Sequence, residues 1–437
     1  MTESITEFMV RIGPYLTEQR RKFHQYPELG FTEYVTTYRI SKELQKRGFD
    51  LSFGRDIQVS EERMGLPAIQ ELAENEARAL KWGVPEELMD KMKGGHTGLV
   101  AVLDTGKRGP HFAFRFDIDA LPIVEEKDEA HLPSKEHFRS TREGVMHACG
   151  HDGHTAIGLG VADYLSEKRG ELKGKFTLIF QPAEEGGRGA KAIVQKGWLD
   201  DVDFFLSGHL GLHDFPAGVV SSASTNFLAS SKFNIEFKGK SAHSGLEPNE
   251  GKNALLAAAS ATVHLNTIPR HKDGATRINV GKLQGGSGRN IIADYAYMEL
   301  ETRGASNELD AYMQGHARRI LQASADLHDV KFTIAEVGQA ISAECDSDWY
   351  DIVDEACRNS EVISEIKKEL PLGASEDVTY MMERVQSKGG KATFMIFASP
   401  LPAGHHHPLF DFEEGAMLAG VEAMIRSVEY LLKKQVD

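Results

Sequence analysis

Four short apolar runs constrain this chain more than any other feature: FAFRF, KFTLIF, DFFLSG and TFMIFAS, spread between positions 112 and 399. Each reads as a strand, and each leads into side chains that bind metals or move protons. Asp117 and Asp119 follow the first, Glu184 and Glu185 the second, His209 the third, and His405, His406 and His407 the fourth. Helical and strand patterns alternate through most of the chain, which argues for an α/β architecture with a largely parallel sheet. In open sheets of that kind ligands bind beyond the carboxyl ends of the strands, so sets of residues far apart in sequence can meet in one crevice.

A fifth contribution comes from HACGHDGH, residues 147 to 154, a glycine-containing loop leading into a helix expected to begin near HTAIGLGVADYL. Taken singly most of these pieces are weak. A lone histidine after a strand is more often a satisfied core residue, two adjacent glutamates are usually a solvated pair, and a triple histidine also makes an ordinary polar turn. Cys149 and His151, one residue apart, suit a shared metal centre. A structural zinc site would close with four Cys or His ligands in paired short spacings, and there is no second such pair. Carboxylates and imidazoles with a spare carboxylate beside them instead suit metal-assisted hydrolysis. Consecutive side chains of extended backbone point to opposite sides, so one of Glu184 and Glu185 can ligate while its neighbour handles a proton.

A formal net charge of -15 with no compensating basic cluster argues against nucleic acid and anionic membrane surfaces as partners. No run approaches the ~18 apolar residues of a membrane span. Three cysteines are too few for a disulfide scaffold in a chain of 437 residues and fit a reducing cytoplasm. Ile5, Phe8, Met9, Ile12 and Leu16 recur at helical spacing, so the first residues are expected to form a packed amphipathic helix and not a signal segment.

The length favours two domains. Residues 54–95, charged and carrying AIQELAENEARALKW, read as a helical insertion. Residues 224–337 read strand, helix, two strands, helix, strand, which predicts two helices on one antiparallel sheet. That unit is expected to interrupt a larger one made of 1–223 and 338–437.

In this order and spacing, FDIDALP, HACGHDGHT, QPAEEGGRGA, GHLGL, GKSAHSG, GGSGRNII, ETRGAS, GASED and GHHHPLFDF resemble the aminoacylase-like dinuclear metallopeptidases of peptidase family M20, in their amidohydrolase branch. The resemblance runs from RRKFHQYPELGF almost to the end. It implies a zinc-peptidase-like catalytic domain, a mixed central sheet flanked by helices, interrupted by an α+β lid and dimerisation domain. It also implies two divalent ions, manganese or zinc, held by Cys149, His151, Glu185, His209 and His406. Cys149 would bridge, with His151 and His209 on one ion and Glu185 and His406 on the other; His406 is chosen because the family's histidine stands four residues before Phe410, with His405 and His407 as neighbours that compete for the role. Glu184 matches the general base, Asp117 and Asp119 match groups that orient ligand histidines, and His243 matches an oxyanion-stabilising histidine that approaches the site of a partner protomer. Asn290 and Arg303 match residues that grip the substrate carboxylate.

The activity this implies is cytoplasmic hydrolysis of an N-acyl or N-aroyl amino acid with Glu or Asp as the amino-acid half, as in p-aminobenzoyl-glutamate or indole-3-acetyl-aspartate. A homodimer through the lid, or a heteromer with a homologous chain, follows from the same resemblance. The competing readings are a general aminoacylase, a dipeptidase and a noncatalytic metal-binding partner of an active homologue.

Overall fold

The computed structural model describes residues 3–434. Its larger sheet has eight strands, in the spatial order Asp50–Phe53, Leu99–Asp104, Lys175–Gln181, His111–Asp117, Phe204–Leu210, Lys391–Phe397, Val219–Ser221 and Glu365–Lys367. The four apolar runs are its four central strands, and they are mutually parallel. Antiparallel pairing appears only toward the flanks, so the sheet is mixed.

Central parallel strands are covered on both faces and therefore read as continuous apolar runs. In the strand His111–Asp117, Phe112, Phe114 and Phe116 turn to one core and Ala113 to the other; Leu206 and Phe205 divide in the same way. The helices Ile5–His24, His151–Glu167 and Ala416–Lys434 fill the first side, Ala190–Val194 and Thr379–Ser387 the second. Within the first helix Phe8, Met9, Ile12 and Leu16 are buried, as their spacing predicts.

Residues 54–95 hold the helices Ile69–Trp82 and Glu86–Met92, which pack through Ala79, Met89 and Met92 against Tyr34 and Val35 of the helix Tyr34–Lys46. Farther along, Lys331–Ala340, Ala229–Lys238, Tyr295–Gly304 and Thr276–Gly285 form, in that spatial order, a four-stranded antiparallel sheet. The helices Ala254–Leu265 and Asn307–Leu327 cover one face of it around Phe233, Ile235, Phe237 and Met298, a core separate from those of the larger sheet. Each helix opens on a side-chain cap: Asn253 accepts from the Leu256 N–H and Ser306 from the Leu309 N–H.

Two local details differ from the sequence expectation. The helix after the Cys149 loop begins at His151, three residues before His154, because Gly150 turns it with a left-handed φ of 91°. His209 lies inside its strand, one residue from the end, instead of beyond it.

Candidate active site

Parallel strands put their carboxyl ends on one edge, and that edge gathers the chemistry. Asp117 closes the strand His111–Asp117, and Asp119 follows two residues on. After Lys175–Gln181 the chain turns through Ala183, whose φ of 51° is unusual for a residue with a Cβ. Buried Glu33 holds that turn: its Oε1 accepts the Ala183 N–H at 2.8 Å, while its Oε2 accepts the Thr97 hydroxyl at 2.5 Å. Asp119 completes the grip, its two carboxylate oxygens accepting the Glu184 and Glu185 N–H groups at 3.0 Å each.

Asp119 also meets His151. The Nδ1 of His151 lies 2.9 Å from the Asp119 carbonyl oxygen and 3.3 Å from its carboxylate, so that nitrogen carries the donated proton and Nε2 faces inward. Asp117 meets a histidine that the motif reading did not single out: His154 Nδ1 stands 2.5 Å away, and His154 Nε2 accepts the Leu210 N–H at 2.8 Å. That contact clamps the strand carrying His209.

Around the inward-facing nitrogen lie the other groups. Cys149 Sγ is 3.5 Å from His209 Nε2, and His406 Nε2 is 3.3 Å from Glu185 Oε1. Two sets of ligand atoms, Cys149 with His151 and His209, and Cys149 with Glu185 and His406, each fit within 4.8 Å, and Cys149 belongs to both. Of the three consecutive histidines, His406 is the one that reaches Glu185, through a left-handed φ of 62° and an N–H donated to the Ala148 carbonyl. His405 accepts the Leu212 N–H at Nε2 and lies 3.7 Å from Cys149 through Nδ1, while His407 accepts the Leu409 N–H from an exposed position.

Whether cations fit can be asked of the atoms themselves. His151 Nε2 and Glu376 Oε2 are buried with no hydrogen-bond partner, which is costly unless something else completes them. The acids are crowded as well. Burial, with Glu376 and Glu185 nearby, pushes the Glu184 carboxyl well above its usual range. Burial and Glu185 push up the Cys149 thiol, and burial raises Glu376 to about 7. Burial next to His154 and His405 holds His209 neutral, the form that ligates. The crowded carboxylates and thiol, with His151 Nε2 unpaired beside Cys149 and Glu185, make a donor set that fits a pair of divalent cations held by Cys149, His151, Glu185, His209 and His406.

Some of this cluster lies in motifs to which the sequence assigned no role, Glu376 and Asp377 being the last two residues of GASED. Glu376 approaches His209 Nε2 at 3.9 Å, and Asp377 accepts from Arg115, from Gln181 and from the Gly189 and Ala190 N–H groups. Arg115 itself spans Asp117 at 2.6 Å and Asp377 at 3.2 Å. A charge inside the apolar run FAFRF was the available sign of it. A cleft of about 320 Å³ opens over Cys149, Glu184, Glu185, His209 and Glu376, roofed from the smaller sheet by Lys232 and Arg303. Asn290 and His243 do not line it; they sit together on exposed turns of the smaller unit, joined by the Ser244 N–H donated to the Asn290 carbonyl.

The family model described as Peptidase family M20/M25/M40 matches residues 113–430. The chain belongs to this peptidase family. Family M20 is metal-dependent, in keeping with the donor set above. Over 427 residues the chain is 43% identical to a p-aminobenzoyl-glutamate hydrolase subunit of Escherichia coli K12, covering 97% of this chain and 98% of the relative. It is 42% identical to the indole-3-acetyl-aspartic acid hydrolase of Enterobacter agglomerans, covering 96% of each. Among solved structures, the aminobenzoyl-glutamate utilization protein of Klebsiella pneumoniae superposes with a TM-score of 0.83 at 36% identity, over 99% of this chain and 98% of that one.

Proposed function

We propose that this M20 enzyme hydrolyses the amide bond of N-acyl or N-aroyl amino acids whose amino-acid half is acidic, with Glu184 as the group that moves the proton. The observation that carries the proposal is the position of Glu184: buried, held at its N–H by Asp119, and within ligand-cluster distance of both His151 with Glu185 and Glu376 with Asp377. The relatives named for p-aminobenzoyl-glutamate and indole-3-acetyl-aspartate support the substrate class, since both are aromatic acyl groups on an acidic amino acid.

Cys149, His151, Glu185, His209 and His406 would hold two divalent ions, manganese or zinc, for which imidazole, thiolate and carboxylate are all acceptable donors. When bound, such ions supply Lewis-acid polarisation of a carbonyl and make a water more acidic. Glu184 would accept the proton of the attacking water and deliver it to the departing amine. Asp119 fixes the tautomer of His151 and the aim of Glu184 at once. Arg303, in the roof, offers a guanidinium to the substrate carboxylate.

His243 and Asn290 serve, in this reading, a second protomer: exposed and outside the lining of their own cleft, they would complete the site of a partner across a dimer formed by the unit 224–337, with 1–223 and 338–437 as the catalytic unit. A homologous chain in place of a second copy is the heteromeric version, and a cytoplasmic location suits the reduced Cys149. Hydrolysis by metal-reconstituted protein of p-aminobenzoyl-glutamate, indole-3-acetyl-aspartate, N-acetyl amino acids and dipeptides, compared side by side, separates this activity from a general aminoacylase or dipeptidase. Glu184→Gln is expected to lower kcat at least 10²-fold with metal still bound. Equal turnover by wild type and variant, or inactivity of both on every amide, would count against it.

A further inference from the structure

Besides Cys149 and Ser375, the polar groups lining the cleft are three carboxylates, Glu184, Glu185 and Glu376, three histidines and two strong bases, Lys232 and Arg303. Both bases come from neighbouring antiparallel strands of the smaller sheet. The register sets Lys232 opposite Glu301 and Ser230 opposite Arg303, so Lys232, Glu301 and Arg303 rise from one face as close neighbours. Glu301 stands between the two bases: Oε1 accepts from Arg303 Nε at 2.6 Å, and Oε2 lies 3.3 Å from Arg303 Nη2 and 3.9 Å from Lys232 Nζ. Among the described residues neither Arg303 Nη1 nor Lys232 Nζ has a hydrogen-bond partner. The Lys232 side chain is only 28% exposed.

We propose that Lys232 is the specificity residue that reads the side-chain carboxylate of an acidic amino-acid half, while Arg303 takes the α-carboxylate. This rests on the hydrolase reading above. A substrate ending in Glu or Asp brings two carboxylates into a cleft already lined by three, and one arginine can satisfy one of them. The second would meet Glu184 or Glu376 unless another cation stood beside it, and Lys232 is the other strong base among the described lining residues. Glu301, ion-paired with Arg303 and 3.9 Å from Lys232 Nζ, fixes the two bases as neighbours. A neutral amide side chain of the same shape would leave the ammonium without an anion from the substrate, and a hydrogen bond between charged groups in a partly desolvated cleft separates the two roughly 10- to 100-fold.

The test compares kcat/KM for N-benzoyl-glutamate and N-benzoyl-glutamine with metal-reconstituted wild type, Lys232→Met, Lys232→Gln and Lys232→Arg. Wild type is expected to prefer the glutamate compound. That ratio should fall 10- to 100-fold in Lys232→Met and in Lys232→Gln, which serves if the methionine variant does not fold, and Lys232→Arg should retain most of it. A ratio unchanged by removing the charge, in an enzyme that still turns over both amides, overturns the assignment of Lys232 alone. Wild-type inactivity on both amides overturns the hydrolase reading, and the assignment falls with it.

Discussion

At the scale of single residues, Asp119 is the side chain on which most of the site depends. Its carboxylate takes two backbone N–H groups of the Glu184–Glu185 turn and stands against the ring of His151. Losing it would free the imidazole to rotate and let the turn relax. Asp119→Ala is therefore expected to weaken metal binding about 10- to 100-fold and to depress kcat besides; metal titration of the stripped protein and steady-state rates measure the two effects. Wild-type affinity in the variant would mean that the Asp119 carbonyl alone orients His151. Asp119 was legible in the sequence because it follows an apolar run that had to be a strand. Glu376 was not, although GASED stood out as a motif, because it follows only the short strand Leu370–Pro371 and its importance comes from His209 and Arg115, each more than 160 positions away. Lys232 was hidden for a related reason: in KFNIEFKG it reads as the polar half of an ordinary alternating strand.

At the scale of elements, the helix His151–Glu167 shows which part of packing a sequence reveals. It is buried on almost every side, and its glycines let it lie close to the sheet. A Cβ on Gly158 would come within 2.7 Å of both Phe116 and Phe180, rings that belong to two central strands and cannot retreat. Alanine is the better helix former by roughly 1 kcal/mol. Overpacking of a filled core costs about 1–3 kcal/mol, so the clash should win. Gly158→Ala is expected to lower the denaturant midpoint, and a rise would show that the helix can shift outward. The apolar content of this helix was visible beforehand; its start was not, because glycine at 150 signals a turn without saying that the turn is the left-handed residue that presents Cys149 on one side and His151 on the other. In the smaller sheet the alternation in KFNIEFKG and YAYMELETRG was enough to predict strands, since one face packs on helices and the other does not.

At the scale of the whole molecule, segments hundreds of residues apart are tied under the site by a buried charge network that no local pattern announces. Arg20, from the first helix, binds Asp152 beside His151 at 2.9 Å and Asp411, five residues after His406, at 2.6 Å. His24, one turn later, sits between Asp152 and Glu125, 2.8 Å from each. Both its ring nitrogens face carboxylates, so the ring donates twice and must be protonated to do so. Burial works against that charge, but the hydrogen bonds to Asp152 and Glu125 outweigh it and raise the pKa from 6.5 to about 9. The sign follows from which state holds the proton: above pH 6.5 the unfolded chain has released it while the folded chain keeps it, so stability from this group is complete below 6.5 and drains away as pH rises through 9. A shift of this size corresponds to something on the order of 3 kcal/mol. Denaturant unfolding of metal-free protein between pH 6 and 9.5 should show wild type losing stability across that window relative to His24→Gln, which is expected to be less stable at pH 6 and to lack the slope. Parallel pH profiles for the two proteins would mean that His24 is neutral in the fold, and that Arg20 alone supplies the positive charge beneath the metal-ligand helix.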